Sequence, residues 1–103
     1  MLHFAYGLNM DVNSMRARCP GSRLVGLGRL KNYAVKEFDP GYLSIVKSGS
    51  SVVTGLLWLL NPEDELRLDE FECVELGLYK KRVLKLKEFI LGSDQVLIYI
   101  LRR

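Results

Sequence analysis

The segment Leu68-Asp69-Glu70-Phe71-Glu72-Cys73-Val74, followed at once by Gly77-Leu78-Tyr79 and a strand-like run, places Glu72 at the end of a short helix. A carboxyl group there can take a proton and give it back, provided that apolar neighbours raise its pKa toward neutrality. Leu68 lies one helical turn before it and Phe71 beside it. Glu63, Asp64, Glu65, Asp69, Glu70 and Glu75 are also close in sequence, and by itself an acidic helix reads as a solvated face. A second constellation lies near the N-terminus. There Tyr6-Gly7-Leu8-Asn9 separates a strand-like stretch from a short helix, an entry that aims free backbone amides at the space between strand end and helix start.

Other reactive side chains point elsewhere. His3 is the only histidine, and within a strand it reads as structural or exposed. Cys19 and Cys73 stand far apart, without CxxC spacing or a histidine cluster, so neither a zinc site nor any other metal site is expected. Cys73 follows Glu72 directly and reads as an inert small hydrophobe, and Trp58 reads as core. No residue pattern calls for a cofactor.

These residues must be positioned by a chain of short elements. Residues 2–6 read as a strand that Gly7 breaks. Asp11 or Asn13 caps a helix through Arg18, which Cys19-Pro20-Gly21 ends because proline disfavours helical dihedrals in the residue before it. Residues 23–38 read as a long strand, bent at Gly26 and Gly28. Asp39-Pro40-Gly41 is a turn, residues 42–46 a strand, and Lys47-Ser48-Gly49-Ser50 a second turn into a strand over 51–60. That last strand is apolar at nearly every position, so both of its faces should be covered. Asn61-Pro62-Glu63-Asp64 combines a cap residue, a proline at the first helical position and acids that suit the helix dipole. The helix it starts should end near Glu72. Strands over 79–90 and 95–101, joined by Gly92-Ser93-Asp94, close the chain. The expected fold is a mixed α/β (α+β) domain: a small, bent or closed, mainly antiparallel barrel with two short helices.

At 103 residues, 49% hydrophobic and 26% charged, the chain is long enough for one core and reads as a single domain over 1–103. The N-terminus lacks a basic region followed by a long apolar run, and the strongest apolar stretch, 56–60, is too short to cross a bilayer. A reduced, cytoplasmic protein without a membrane partner is expected. The net charge of +3 gathers in Lys80, Lys81, Arg82, Lys85 and Lys87, with Arg102 and Arg103. Lys85 and Lys87 alternate with Leu84 and Leu86, as on the wet face of a half-buried strand, so no nucleic-acid partner is expected.

Taken in order, four segments resemble the signature of the gamma-glutamylcyclotransferase-like (AIG2-like) family: Phe4-Ala5-Tyr6-Gly7-Leu8-Asn9-Met10, Met15-Arg16-Ala17-Arg18-Cys19-Pro20, Leu68-Asp69-Glu70-Phe71-Glu72 and Gly77-Leu78-Tyr79. The resemblance runs to about Val83. It departs at Leu8, where the family has serine, and at Cys73, where it has glycine. Many members also continue past the final strand, whereas this chain stops at Arg103.

The resemblance implies a cofactor-independent reaction in which a gamma-glutamyl amine or amino acid closes on itself, giving 5-oxoproline and a free amine. It implies Glu72 as the catalytic acid–base, with Tyr6, Gly7, Leu8, Asn9 and Tyr79 binding the substrate. Gly7 would let the backbone approach the ligand, and Leu8 would keep the N–H while losing the hydroxyl of serine. A non-catalytic small-molecule-binding module on the same scaffold is the other reading, favoured by Leu8 and Cys73. Self-association into a homo-oligomer is a further expectation, because apolar strands leave a face for a second copy to cover.

Overall fold

A computed structural model describes residues 1–102, and for Leu8, Lys87 and Phe89 the backbone only. The chain forms β1 (Leu2–Ala5), a 3-10 turn (Leu8–Met10), α1 (Val12–Arg18), β2 (Arg23–Glu37), β3 (Leu43–Leu59), α2 (Pro62–Phe71), β4 (Tyr79–Ile90) and β5 (Ser93–Leu101). The caps form as their sequences dictate. Asp11 accepts a hydrogen bond from the Ser14 amide (3.1 Å), and Asn61 accepts one from the Asp64 amide (2.7 Å), with Pro62 opening α2.

The strands make one five-stranded sheet in the order β2-β3-β1-β5-β4, antiparallel except where β1 runs parallel to β5 at His3 and Leu97. The sheet is strongly bent rather than closed, since its edge strands β2 and β4 share no ladder among the described residues. An exposed ion pair from Arg29 to Glu88 (3.4 Å) spans the gap between them.

Two apolar clusters follow from this bend. Phe4, Leu30, Val53, Leu57, Val96 and Ile98 fill the inside of the curl, while Ala5, Met15, Trp58, Leu68, Leu97 and Tyr99 lie between the sheet's other face and the helices. Short β1 sits at the centre and is buried at every position. Its neighbour β3 comes so close that a Cβ on Gly55 would stand 2.5 Å from the Ala5 carbonyl, which is why glycine is needed there. The expectation that both faces of residues 51–60 are covered holds for 55–60, where Leu57 enters the inner cluster and Trp58 the outer one, but not for Val52 and Thr54, which are exposed.

One expected turn is not a turn. Residues 47–50 belong to an uninterrupted β3, and the hairpin is made by the turn around Pro40 alone. Between the pairs Lys31–Val52 and Tyr33–Lys47, β2 contributes only Asn32 while β3 contributes residues 48–51, so the Ser-Gly-Ser stretch is a large bulge. Asn32 and Ser50 both take φ of 68° there. The bulge persists as strand because β2 continues on both sides and re-forms the ladder beyond it. At the other end, β5 starts at Ser93, two residues before expectation, because Leu91 and Gly92 (φ 51° and 78°) make the turn themselves. In β4, Lys85 is exposed and Leu86 buried, in line with the alternation expected there, and the Lys87 side chain and Arg103 lie outside the described residues. No described helix is long and apolar enough to cross a membrane.

Candidate active site

Helix α2 ends in a left-handed cap that holds Glu72. Its N–H bonds the Leu68 carbonyl (2.8 Å), the Val74 N–H reaches back to Asp69 (3.0 Å), and the Cys73 N–H reaches Glu70 (3.1 Å). This is a Schellman motif with Glu72 at the C-cap and Cys73 in the position that glycine usually takes, at φ 53°. Val74 then packs on the cluster containing Leu68, completing the hydrophobic part of the motif. The departure at Cys73 therefore has a backbone meaning: a side chain occupies a left-handed position that glycine adopts without strain.

The 3-10 turn after β1 faces this cap. Met10 donates to the Gly7 carbonyl (3.0 Å), closing the turn, and buried Asn9 projects toward Glu72. Asn9 is fixed at three points. Arg18 donates through Nη1 to Asn9 Oδ1, Trp58 Nε1 donates to the Asn9 carbonyl (3.2 Å), and Asn9 Nδ2 donates to Glu72 Oε1 (3.4 Å). Because the guanidinium has only donors, it forces Oδ1 to its own side and turns the amide N–H toward the carboxylate. Arg18 in turn lies over the Phe71 ring, 3.5 Å from its centre.

Burial pushes the Glu72 carboxyl up to about 7, while the Arg18 charge and the Asn9 hydrogen bond act in the opposite direction. The group is thus poised to exist in both protonation states near neutral pH. It opens onto a cavity of about 460 Å³ that is also lined by Tyr6, Gly7, Asn9 and Tyr79. The tyrosine hydroxyls are anchored: Tyr6 donates to the Tyr99 carbonyl (2.5 Å) and Tyr79 to the Leu43 carbonyl (2.9 Å). Tyr79 also packs on the outer cluster, so it is both lining and core. Leu8 contributes its backbone to the 3-10 turn, and its side chain lies outside the described residues.

Gly7 does not hold a positive φ, and a Cβ there would meet Leu43 Cδ1 at 3.8 Å, so neither strain nor a clash with the described residues requires glycine. One expectation changes: the acids around Glu72 are not uniformly solvated. Asp64 is fully buried with Arg67 on its Oδ1 (2.8 Å), and Lys81 bridges Glu65 and Asp69, whereas Glu63, Glu70 and Glu75 are exposed.

The chain as a whole has known relatives. The sequence model of the family described as gamma-glutamyl cyclotransferase, AIG2-like, matches residues 3–103. The chain belongs to this family. Gamma-glutamylcyclotransferases of Bos taurus and Homo sapiens are each 27% identical to it over 88 residues, which takes in 76% of the chain and 47% of either relative. The chain spans about half the length of these curated relatives. The solved structure of a gamma-glutamyl cyclotransferase superposes with a TM-score of 0.84 over 100% of the chain and 67% of its own length, at 22% identity, a likeness of fold.

For this AIG2-like chain, the sequence pointed to Glu72 and the turn before α1, and the structure brings both to one cavity. Arg18 was visible only as part of a motif, and its partnership with Asn9 emerges from the packing of α1. His3 and Glu37, which also line the cavity, carried no sequence signal.

Proposed function

We propose that the chain is a cofactor-independent gamma-glutamylcyclotransferase in which Glu72 is the acid–base and the turn over residues 6–9 grips the glutamyl head. The observation that carries this reading is a carboxyl with pKa near 7, opening onto a cavity beside a strand-to-helix turn.

The substrate's α-ammonium must lose a proton before its nitrogen can attack the gamma-carbonyl carbon, and anionic Glu72 takes it. Attack forms the ring C–N bond and places negative charge on the carbonyl oxygen, for which amides at the start of the 3-10 turn are the fitting donors. The carbonyl re-forms as the bond to the departing nitrogen breaks: that nitrogen receives the first proton from Glu72, and the surplus proton of the ring nitrogen follows through the same carboxylate, so the lactam keeps one N–H and the amine leaves as its ammonium. The carboxylate ends as it began. Nucleophile and electrophile belong to one molecule, so a five-membered ring forms without a protein nucleophile. The apolar wall supplied by Phe4, Ala5, Leu43 and Phe71 suits a folded conformer shielded from water.

The decisive experiment is incubation with gamma-glutamyl amino acids, amines and isopeptides, with detection of 5-oxoproline. Release from at least one class is expected. Binding of these compounds without release would give the result to the non-catalytic module instead.

A further inference from the structure

The polar groups lining the cavity are one-sided. Among the described residues no lysine or arginine lines it, whereas two carboxylates do, Glu72 and Glu37. Four of the side-chain donors there are engaged within the protein: Tyr6 on the Tyr99 carbonyl, Tyr79 on the Leu43 carbonyl, Tyr99 on Asp69 and the Asn9 amide on Glu72. His3 lies at the buried end. Its Nδ1 lies 3.1 Å from the Leu97 carbonyl, which can only accept, so the proton sits on Nδ1 and Nε2 keeps its lone pair. That Nε2 is buried and has no partner. At the open end, exposed Glu37 accepts the Gly41 amide at Oε2 (3.0 Å), which fixes the carboxylate across the β2–β3 turn, with the Tyr42 ring beside it on the rim.

A site with carboxylates at Glu72 and at the rim and no side-chain cation favours a ligand that brings N–H donors and positive charge to the rim and disfavours one with a carboxylate there. Building on the cyclotransferase reading, we propose that the chain prefers gamma-glutamyl donors whose departing amine carries a second positive charge and no carboxylate, and that Glu37 is the residue that reads this charge. The glutamyl head lies against Glu72 and the residue 6–9 turn, so the departing part extends toward the rim, where Glu37 and the face of Tyr42 meet a cation.

The test uses three compounds with the same glutamyl head, joined to 1,5-diaminopentane, to n-pentylamine and to alanine. The expected order of kcat/KM for 5-oxoproline release is cationic, neutral, anionic, with about a tenfold span between first and last, the size that one rim charge pair and one like-charge clash give together. Glu37→Gln should narrow that span to about threefold or less, and added salt should narrow it in the wild type. Glu88→Gln, which removes a carboxylate that does not line the cavity, should leave the span as it was. Equal or better use of the alanine compound, or an unchanged span in Glu37→Gln, overturns the proposal. If none of the three is turned over, their dissociation constants for the wild type decide it separately: the same order supports the charge preference while the catalytic reading falls. The reverse order, equal affinities or no binding overturns it.

Discussion

At the scale of single residues, the site depends on how Arg18, Asn9 and Glu72 share protons and charge. Glu72→Gln keeps the size and most hydrogen-bonding capacity of the side chain but removes its ability to carry a proton, so turnover should fall about 10²- to 10⁴-fold while ligand binding persists. Glu70→Gln, at an exposed position on the same turn, should change turnover little. Wild-type-like rates in a folded Glu72→Gln variant would sink the mechanism. Arg18 acts through the carboxyl's pKa. Its positive charge favours the anion, so Arg18→Gln should raise the Glu72 pKa and move the acid limb of the kcat/KM profile to higher pH, starting from a limb near 7. An acid limb at the same pH in both proteins would show that Glu72 is not the group being titrated.

At the scale of elements, the end of α2 is where this chain departs from the signature and where the departure has a cost. Cys73 holds φ 53° in the Schellman motif, a conformation that costs a side-chain-bearing residue roughly 1–2 kcal/mol. Glycine would relieve that strain but would also gain freedom in the unfolded chain. Cys73→Gly should therefore stabilise the fold by a net of about 0.5–1 kcal/mol, read as a higher urea midpoint at unchanged slope. A lower midpoint would mean that the thiol's packing outweighs the backbone strain. The same element is tied down from outside by Tyr99, which donates to Asp69 (2.7 Å), and by Lys81, which pairs with Glu65 and Asp69. The turn that carries Glu72 is thus fastened to both β4 and β5.

At the scale of the whole molecule, two buried groups pull stability in opposite directions with pH. Burial lowers the His3 pKa to about 4, so between about 4 and 6.5 the unfolded chain binds more protons there and stability rises with pH. Glu72 is raised to about 7, so between about 4.5 and 7 the folded chain binds more protons and stability falls with pH. Around pH 5–6 the two slopes nearly cancel. Glu72→Gln should unmask the histidine, and unfolding free energy should then climb by roughly 1 kcal/mol per pH unit relative to the wild type, measured by urea denaturation at pH 5, 5.5 and 6. A variant profile parallel to the wild type would contradict the shifted Glu72 pKa.

Much of this architecture is local chemistry that the sequence states openly. Asn61-Pro62, Asp11 and the turn around Pro40 act within a few residues of themselves, and the ordered signature segments name the family and single out Glu72. The bulge at residues 48–51 was not legible, because Ser-Gly-Ser reads as a turn until a neighbouring strand supplies hydrogen bonds on both sides of it. Nor was the burial of His3, which follows from its place on the central strand between Trp58 and Leu97. Asn9 and Glu72 lie 63 positions apart, and only the packing of both helices on one face of the sheet brings amide and carboxyl together. The sequence by itself supplied the ionisable group; the tertiary structure took it out of water and gave it a pKa near neutrality, because desolvation is a property of what surrounds a residue and not of its neighbours in the chain.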